Sequence, residues 1–151
     1  MSENRHETHP DPEARVRRTF ERQKVMATIG AELMKVSEDG VEIELPHSDE
    51  LTQQHGFLHA GIVSTVLDTA CGLAALAKMP PDTAVLAVEY KVNFVNPAKG
   101  DRIRVLGQVV KSGRTLHVCS GNAYASVDGK ETHVATLMST VMTVRGRGLV
   151  D

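Results

Sequence analysis

The amino-acid sequence predicts an α+β fold in which an antiparallel sheet of about six strands curls around one long central helix. Two observations carry this. Residues 56–77, GFLHAGIVSTVLDTACGLAALA, are apolar almost all round, and a helix of that kind belongs inside a protein, wrapped by a sheet or by a partner chain. Elsewhere, runs rich in strand-forming residues alternate with turn signals in the order helix, two strands, long helix, four strands.

Residues 1–11 mix charge, His and Pro and cannot bury a face, which predicts a frayed tail. From Pro12 the pattern changes. Val16, Phe20 and Val25 recur at helical intervals among Arg17, Arg18, Glu21 and Arg22, predicting a short amphipathic helix with its arginines in solvent. Gly30 ends it. Residues 31–36 and 41–45 predict two strands joined at Glu38-Asp39-Gly40, where Asp-Gly supplies hairpin chemistry. In the second, Val41, Ile43 and Leu45 alternate with Glu42 and Glu44, so one face is buried and the other wet. Pro46 closes that strand, and a polar loop over 47–55 carries Gln53 and Gln54. The long helix follows for about 17 residues until Lys78, Pro80 and Pro81 stop it.

Four more strands are predicted at 84–95, 101–111, 115–127 and 132–144, with turns at Asn96-Pro97-Ala98-Lys99-Gly100, Ser112-Gly113-Arg114 and Asp128-Gly129. Regular alternation puts Leu86, Val88, Tyr90, Val92 and Phe94 on one face of the first. The reading is one domain over 12–145 between tails at 1–11 and 146–151. A single sheet layer leaves an edge and a face uncovered, so self-association is expected.

Composition narrows the function classes. Seventeen Lys and Arg against 19 Asp and Glu give a net charge of -2, which supplies no field for nucleic acid. No stretch is bounded like a membrane span, and the polar start resembles no secretory signal, so the cytoplasm is the expected location, with neither nucleic acid nor membrane as partner. Cys71 and Cys119 lack metal-binding or redox spacing and read as free thiols.

Asp68 is the sharpest chemical feature. It is the only acidic residue between Gly56 and Ala77, and its neighbours Val66, Leu67, Thr69, Ala70 and Cys71 are apolar or small. Burying a carboxylate is costly unless it is paired or hydrogen-bonded. Two readings are open: a catalytic group, or a carboxylate that accepts hydrogen bonds from Ser64, Thr65 or a strand and holds register. His59 opens the same helix. The first helical turn leaves N–H groups unpaired, and small residues at Ala60 and Gly61 let a carbonyl oxygen approach them. His59 and Asp68 are nine positions apart, roughly 13 Å along a straight helix, so a shared site needs two chains related by a two-fold axis.

Other chemistries fit less well. Ser64 lacks a Gly-x-Ser-x-Gly setting, Cys71 has no His at a suggestive spacing, and Gly56 interrupts the His55–His59 pair; no metal or cofactor is expected.

The run Gln54-His55-Gly56-Phe57-Leu58-His59-Ala60-Gly61-Ile62, then Asp68 and Gly72, then VEYKVNFVNPAKG at 88–100, resembles the hotdog-fold acyl-CoA thioesterases of the phenylacetyl-CoA (PaaI-like) family over about residues 20–144. The resemblance implies a homodimer with one continuous sheet, often a dimer of dimers, acting on acyl-CoA at sites on the subunit boundary. It assigns Asp68 as general base or nucleophile and the Ala60 N–H as the carbonyl's partner, with His59 in support from the opposite chain. Where relatives carry Asn this chain has Gln53, with Gln54 beside it, and where some carry a hydroxyl opposite the Asp it has Ala87. Substrate contacts are expected from Gln54, Gly61, Phe57 and Leu58, with Val63 beside the acyl group, and CoA phosphates from Lys99, Arg102 and Arg114. A non-catalytic acyl-CoA binder on the same fold is the alternative. A hotdog hydratase needs an Asp and His motif that the sequence lacks.

Overall fold

The computed structural model describes residues 11–151. In chain order they form α1 (Pro12–Arg22), α2 (Lys24–Ile29), β1 (Glu32–Ser37), β2 (Gly40–Pro46), α3 (Ala60–Leu76), β3 (Thr83–Phe94), β4 (Arg102–Ser112), β5 (Leu116–Val127) and β6 (Lys130–Arg145). The tail expected over 1–11 lies outside the described residues except for Asp11, whose carboxylate caps α1 by accepting from the Glu13 N–H.

The six strands make one antiparallel sheet in the order β1-β2-β4-β5-β6-β3. β2, β3, β4, β5 and β6 all touch α3, so the sheet bends around the helix and buries most of its circumference, from Val63 to Leu76. Contact is closest where Gly107 of β4 pairs with Gly121 of β5. A Cβ on Gly107 would stand 2.3 Å from the Ala70 carbonyl carbon, and one on Gly121 would stand 3.0 Å from Cys71 Sγ and Leu67 Cδ2. The helix therefore rests on strand backbone at this point. Glycine inside a strand is otherwise unfavourable, and close approach of another backbone is what it permits here.

The structure corrects two expectations. The single N-terminal helix is two, broken at Gln23 (φ −78, ψ 94), whose N–H donates to Phe20 O and whose carbonyl accepts from Met26 N–H. The break rotates the pattern, so Met26 is buried and Val25 is exposed. Of the arginines, Arg18 and Arg22 do face solvent and Arg17 pairs with Glu13 at 2.7 Å, but Arg15 is only 3% exposed.

The second correction concerns β3. Ala87 lies opposite Val141 and Tyr90 opposite Ser139, with a register shift between Ala87 and Glu89. The inserted residue, Val88, reverses the parity of the strand. Tyr90, Val92 and Phe94 consequently share the helix-facing side with Val85 and Ala87, whereas Leu86, opposite Met142, is on the outer side.

β3 is also an edge strand, with Leu86, Val88, Tyr90, Phe94 and, just beyond it, Val95 exposed. At its start the edge is occupied. The Asp151 N–H donates to Thr83 O (3.2 Å), and the Val85 N–H donates to Asp151 Oδ2 (2.9 Å). Arg15 fastens the same region from α1, donating to the carbonyls of Asp151 (2.9 Å), Met79 (3.1 Å), Pro80 (3.0 Å) and Thr83. Residues 146–151, expected as a tail, form no helix or strand but end in this clasp. Among the described residues no helix is long and apolar enough to cross a membrane.

Candidate active site

α3 begins at Ala60 because His59 takes extended backbone (φ −61, ψ 136) and its Nδ1 accepts the Gly61 N–H at 2.9 Å. An Nδ1 that accepts carries no proton, so the neutral ring holds its proton on Nε2. Gly61 makes the cap possible: a Cβ there would lie 3.1 Å from His59 Nδ1. The loop before the helix is pinned by His59 N–H to Leu51 O (2.9 Å) and Leu58 N–H to Ala98 O (3.1 Å).

With Gly61 N–H occupied by the cap, the Ala60 N–H finds no acceptor among the described residues. Ala60 lines a cavity of about 360 Å³ with Gln53, Phe57, Leu58, Val63 and the segment from Phe94 to Ala98. The structure thus brings together Gln53, Phe57, Leu58, Val63 and Ala60. Gln53 shapes the loop as well: its N–H donates to Phe57 O (2.8 Å), and its Oε1 accepts from the His55 N–H. Gln54 is exposed and is not part of this lining.

Asp68 opens into a second cavity, about 130 Å³, lined by Gln23, Thr69, Gly72, Leu73, Val85, Ala87 and Val141. Its Oδ1 is buried and meets no hydrogen-bond partner among the described residues. The hydroxyls considered as partners point elsewhere, Ser64 Oγ donating to Ala60 O (2.9 Å) and Thr65 Oγ1 to Gly61 O (2.8 Å). The register-holding reading therefore loses its donors. Burial, with no compensating charge, raises the carboxyl above the usual carboxylate range. A half-buried carboxylate with an unpaired oxygen contributes poorly to stability and is a ready proton acceptor.

The two cavities share no residue within one chain. The three candidate cations also separate. Lys99 lies in the β3–β4 turn, directly after Ala98 of the Ala60 cavity, and Arg102 opens β4, with its Nη1 donating to Glu44 Oε2 at 3.1 Å. Arg114 is in the β4–β5 turn, roughly 35 Å away along an 11-residue strand. One chain cannot present Arg114 and Lys99 to the same phosphates. The thiol of Cys71 is pushed up to about 12 by burial and supplies no nucleophile.

Gln23 and the paired glycines of β4 and β5 escaped the sequence reading. Glycine at the centre of two apolar strands was a usable signal for Gly107 and Gly121. Nothing local marks Gln23, whose partner Thr69 is 46 residues away.

A family model described as the thioesterase superfamily matches residues 55–132. The crystal structure of a thioesterase family protein from Silicibacter pomeroyi is 52% identical, with a TM-score of 0.88 over 89% of this chain and 99% of that one. The E. coli PaaI protein from the phenylacetic acid degradation operon shares the fold, with a TM-score of 0.81 at 16% identity over 91% of this chain and 96% of its own. Human acyl-coenzyme A thioesterase 13 is 31% identical over 97 residues, 64% of each protein.

The chain belongs to the thioesterase superfamily, and its sheet wrapped around α3 is the hotdog fold. These matches support hydrolysis of a thioester or ester as its class of activity.

Proposed function

We propose that this chain hydrolyses acyl-CoA to free acid and CoA, at sites formed where Asp68 of one copy meets the start of α3 in another. The observation that carries the reading is Asp68 Oδ1, which is buried beside a cavity and receives no hydrogen bond among the described residues. The unoccupied Ala60 N–H supports it from the other half of the site. The separation of the two within one chain, together with the exposed apolar edge of β3, favours a paired arrangement. A homodimer, or a dimer of dimers, would supply it.

Water gives a proton to the Asp68 carboxylate as its oxygen bonds to the thioester carbonyl carbon. The carbonyl π electrons move to oxygen, where the Ala60 N–H receives the charge. Collapse breaks the C–S bond, and the proton on Asp68 leaves with the CoA sulfur. Burial suits Asp68 to this task, because a carboxylate held above its ordinary pKa takes a proton more readily. In direct attack an Asp68 oxygen bonds to the carbonyl carbon, the C–S bond breaks to release CoA as thiolate, and water then cleaves the resulting anhydride to free acid and Asp68. CoA phosphates are assigned to Lys99 and Arg102, a reading supported by Lys99 following Ala98 of the Ala60 cavity in the chain.

Thiol release from a panel of acyl-CoAs tests the activity, and two substitutions test the site. Asp68→Asn should lower kcat about 10²- to 10⁴-fold. Ala60→Pro replaces the amide hydrogen with the ring Cδ at a helix position that tolerates proline, after a residue already extended, and should cost at least about 10²- to 10³-fold. Subunit exchange between the two inactive variants should restore about a quarter of parental activity, since half the pairs are mixed and each holds one intact site. An inactive mixture rejects the shared site. Parental turnover by Asp68→Asn rejects the carboxylate assignment, and tight binding of acyl-CoA without turnover makes the chain a binder.

A further inference from the structure

Besides Asp68, the only polar side chains lining the 130 Å³ cavity among the described residues are Thr69 and Gln23. Thr69 Oγ1 donates its hydrogen to Gln23 Oε1 at 3.2 Å. The amide oxygen of Gln23 is therefore engaged, and its Nε2 meets no acceptor among the described residues. The side chain is held from both ends. Its backbone is tied by hydrogen bonds to Phe20 and Met26 at the break between α1 and α2, and α1 is fastened to the α3–β3 loop through Arg15.

A bound water needs at least two polar partners, and roughly 10–15 Å³ of cavity is enough for one. This cavity is many times that size, yet its other walls, Gly72, Leu73, Val85, Ala87 and Val141, carry no polar side-chain atom. Asp68 Oδ1 has room only to accept from the water, leaving one side-chain donor in the cavity for the water's own oxygen.

We propose that Gln23 is a positioning residue whose Nε2 holds the attacking water against Asp68, with Thr69 fixing which end of the amide faces the cavity. The inference rests on Asp68 acting on water as proposed above. A water that donates to a carboxylate and accepts from an amide has its remaining lone pair aimed at one place, which is the orientation hydrolysis needs. Gln23 would then govern turnover while leaving acyl-CoA affinity alone, because it faces the water and lies outside the Ala60 cavity.

The test uses the full chain with an acyl-CoA that the parent hydrolyses. Gln23→Met keeps the side-chain volume and removes the donor. It should lower kcat roughly 10- to 100-fold with KM within about twofold of the parent and unfolding temperature unchanged. Thr69→Val should lose part of that, since the amide can then turn. Gln23→Glu puts a second carboxylate beside Asp68, the only ionisable group in the lining, and should move the acidic limb of the pH–kcat/KM profile upward.

Parental kcat in Gln23→Met overturns the inference. So does a loss of kcat accompanied by a lower unfolding temperature and an unmoved acidic limb in Gln23→Glu, which would make Gln23 a structural tie. If Asp68→Asn is inactive while Gln23→Met is fully active, only the water-holding role falls. If Asp68→Asn retains parental turnover, the reading of Asp68 falls first.

Discussion

Gly107→Ala measures how tightly α3 is seated, and the packing around Gly107 sets the size of the effect. The added methyl carbon would lie 2.3 Å from the Ala70 carbonyl carbon, 2.5 Å from its oxygen and 2.6 Å from Cys71 N. Carbon–carbon contacts are comfortable at about 3.5 Å, so helix and strand must part by roughly 1.2 Å. All three atoms are backbone, and no rotamer change relieves the clash. Overpacking costs about 1–3 kcal/mol where side chains can adjust, and the upper end or beyond is expected here. At about 2–4 °C per kcal/mol for a chain of this size, the unfolding temperature should fall by roughly 6–12 °C. Gly121→Ala is the internal control, because its contacts at 3.0 Å are side-chain atoms that can move, and it should lose about a third as much. Asp68 sits two residues before Ala70, so the same displacement should cut turnover as much as 10²-fold even where the variant is folded. Calorimetry and thiol release on both variants check the two effects. If Gly107→Ala unfolds within about 2 °C of the parent, the close seating of helix on strand is wrong.

Two further outcomes follow from buried charge. Burial raises the Asp68 carboxyl above its ordinary 3.8, so the folded chain binds that proton more readily than the unfolded chain does. Its contribution is most favourable below the unfolded value and is lost as pH rises through the folded one. Asp68→Asn should therefore unfold at a higher temperature than the parent near pH 7, with the gap closing towards about pH 4; a gap independent of pH contradicts the assignment. Arg15→Met strips the donors from the carbonyls of Met79, Pro80, Thr83 and Asp151, and should cost about 3–5 kcal/mol in urea unfolding, whereas a loss under about 1 kcal/mol would mean the clasp is incidental.

How much of this was legible in the sequence depended on whether the cause was local. The long helix announced itself by being apolar on every side, and β2 by strict alternation of Val41, Ile43 and Leu45 with glutamates. The split between His59 and Asp68 followed from helical rise alone. The faces of β3 did not, because the inserted residue at Val88 is defined by pairing with β6 and leaves no trace in the strand's own residues. Arg15 was concealed in an arginine-rich stretch, where charge is normally a sign of solvent. Its carbonyl partners come from a loop more than sixty residues on and from Asp151. Arg114 reads as equivalent to Lys99 and Arg102 because all three sit in or beside turns, and only the direction of β4 sends it to the opposite end.

The attachment of Asp151 to Thr83 and Val85 has a bearing on any strand that docks along β3. Those two rungs of the ladder are filled from within the molecule, so an incoming strand can engage only further along, towards Phe94. A visitor sliding backwards would have to evict Asp151 and break the Arg15 contact with it. The chain thus carries its own end-stop, one that fixes where a seam between two molecules would begin.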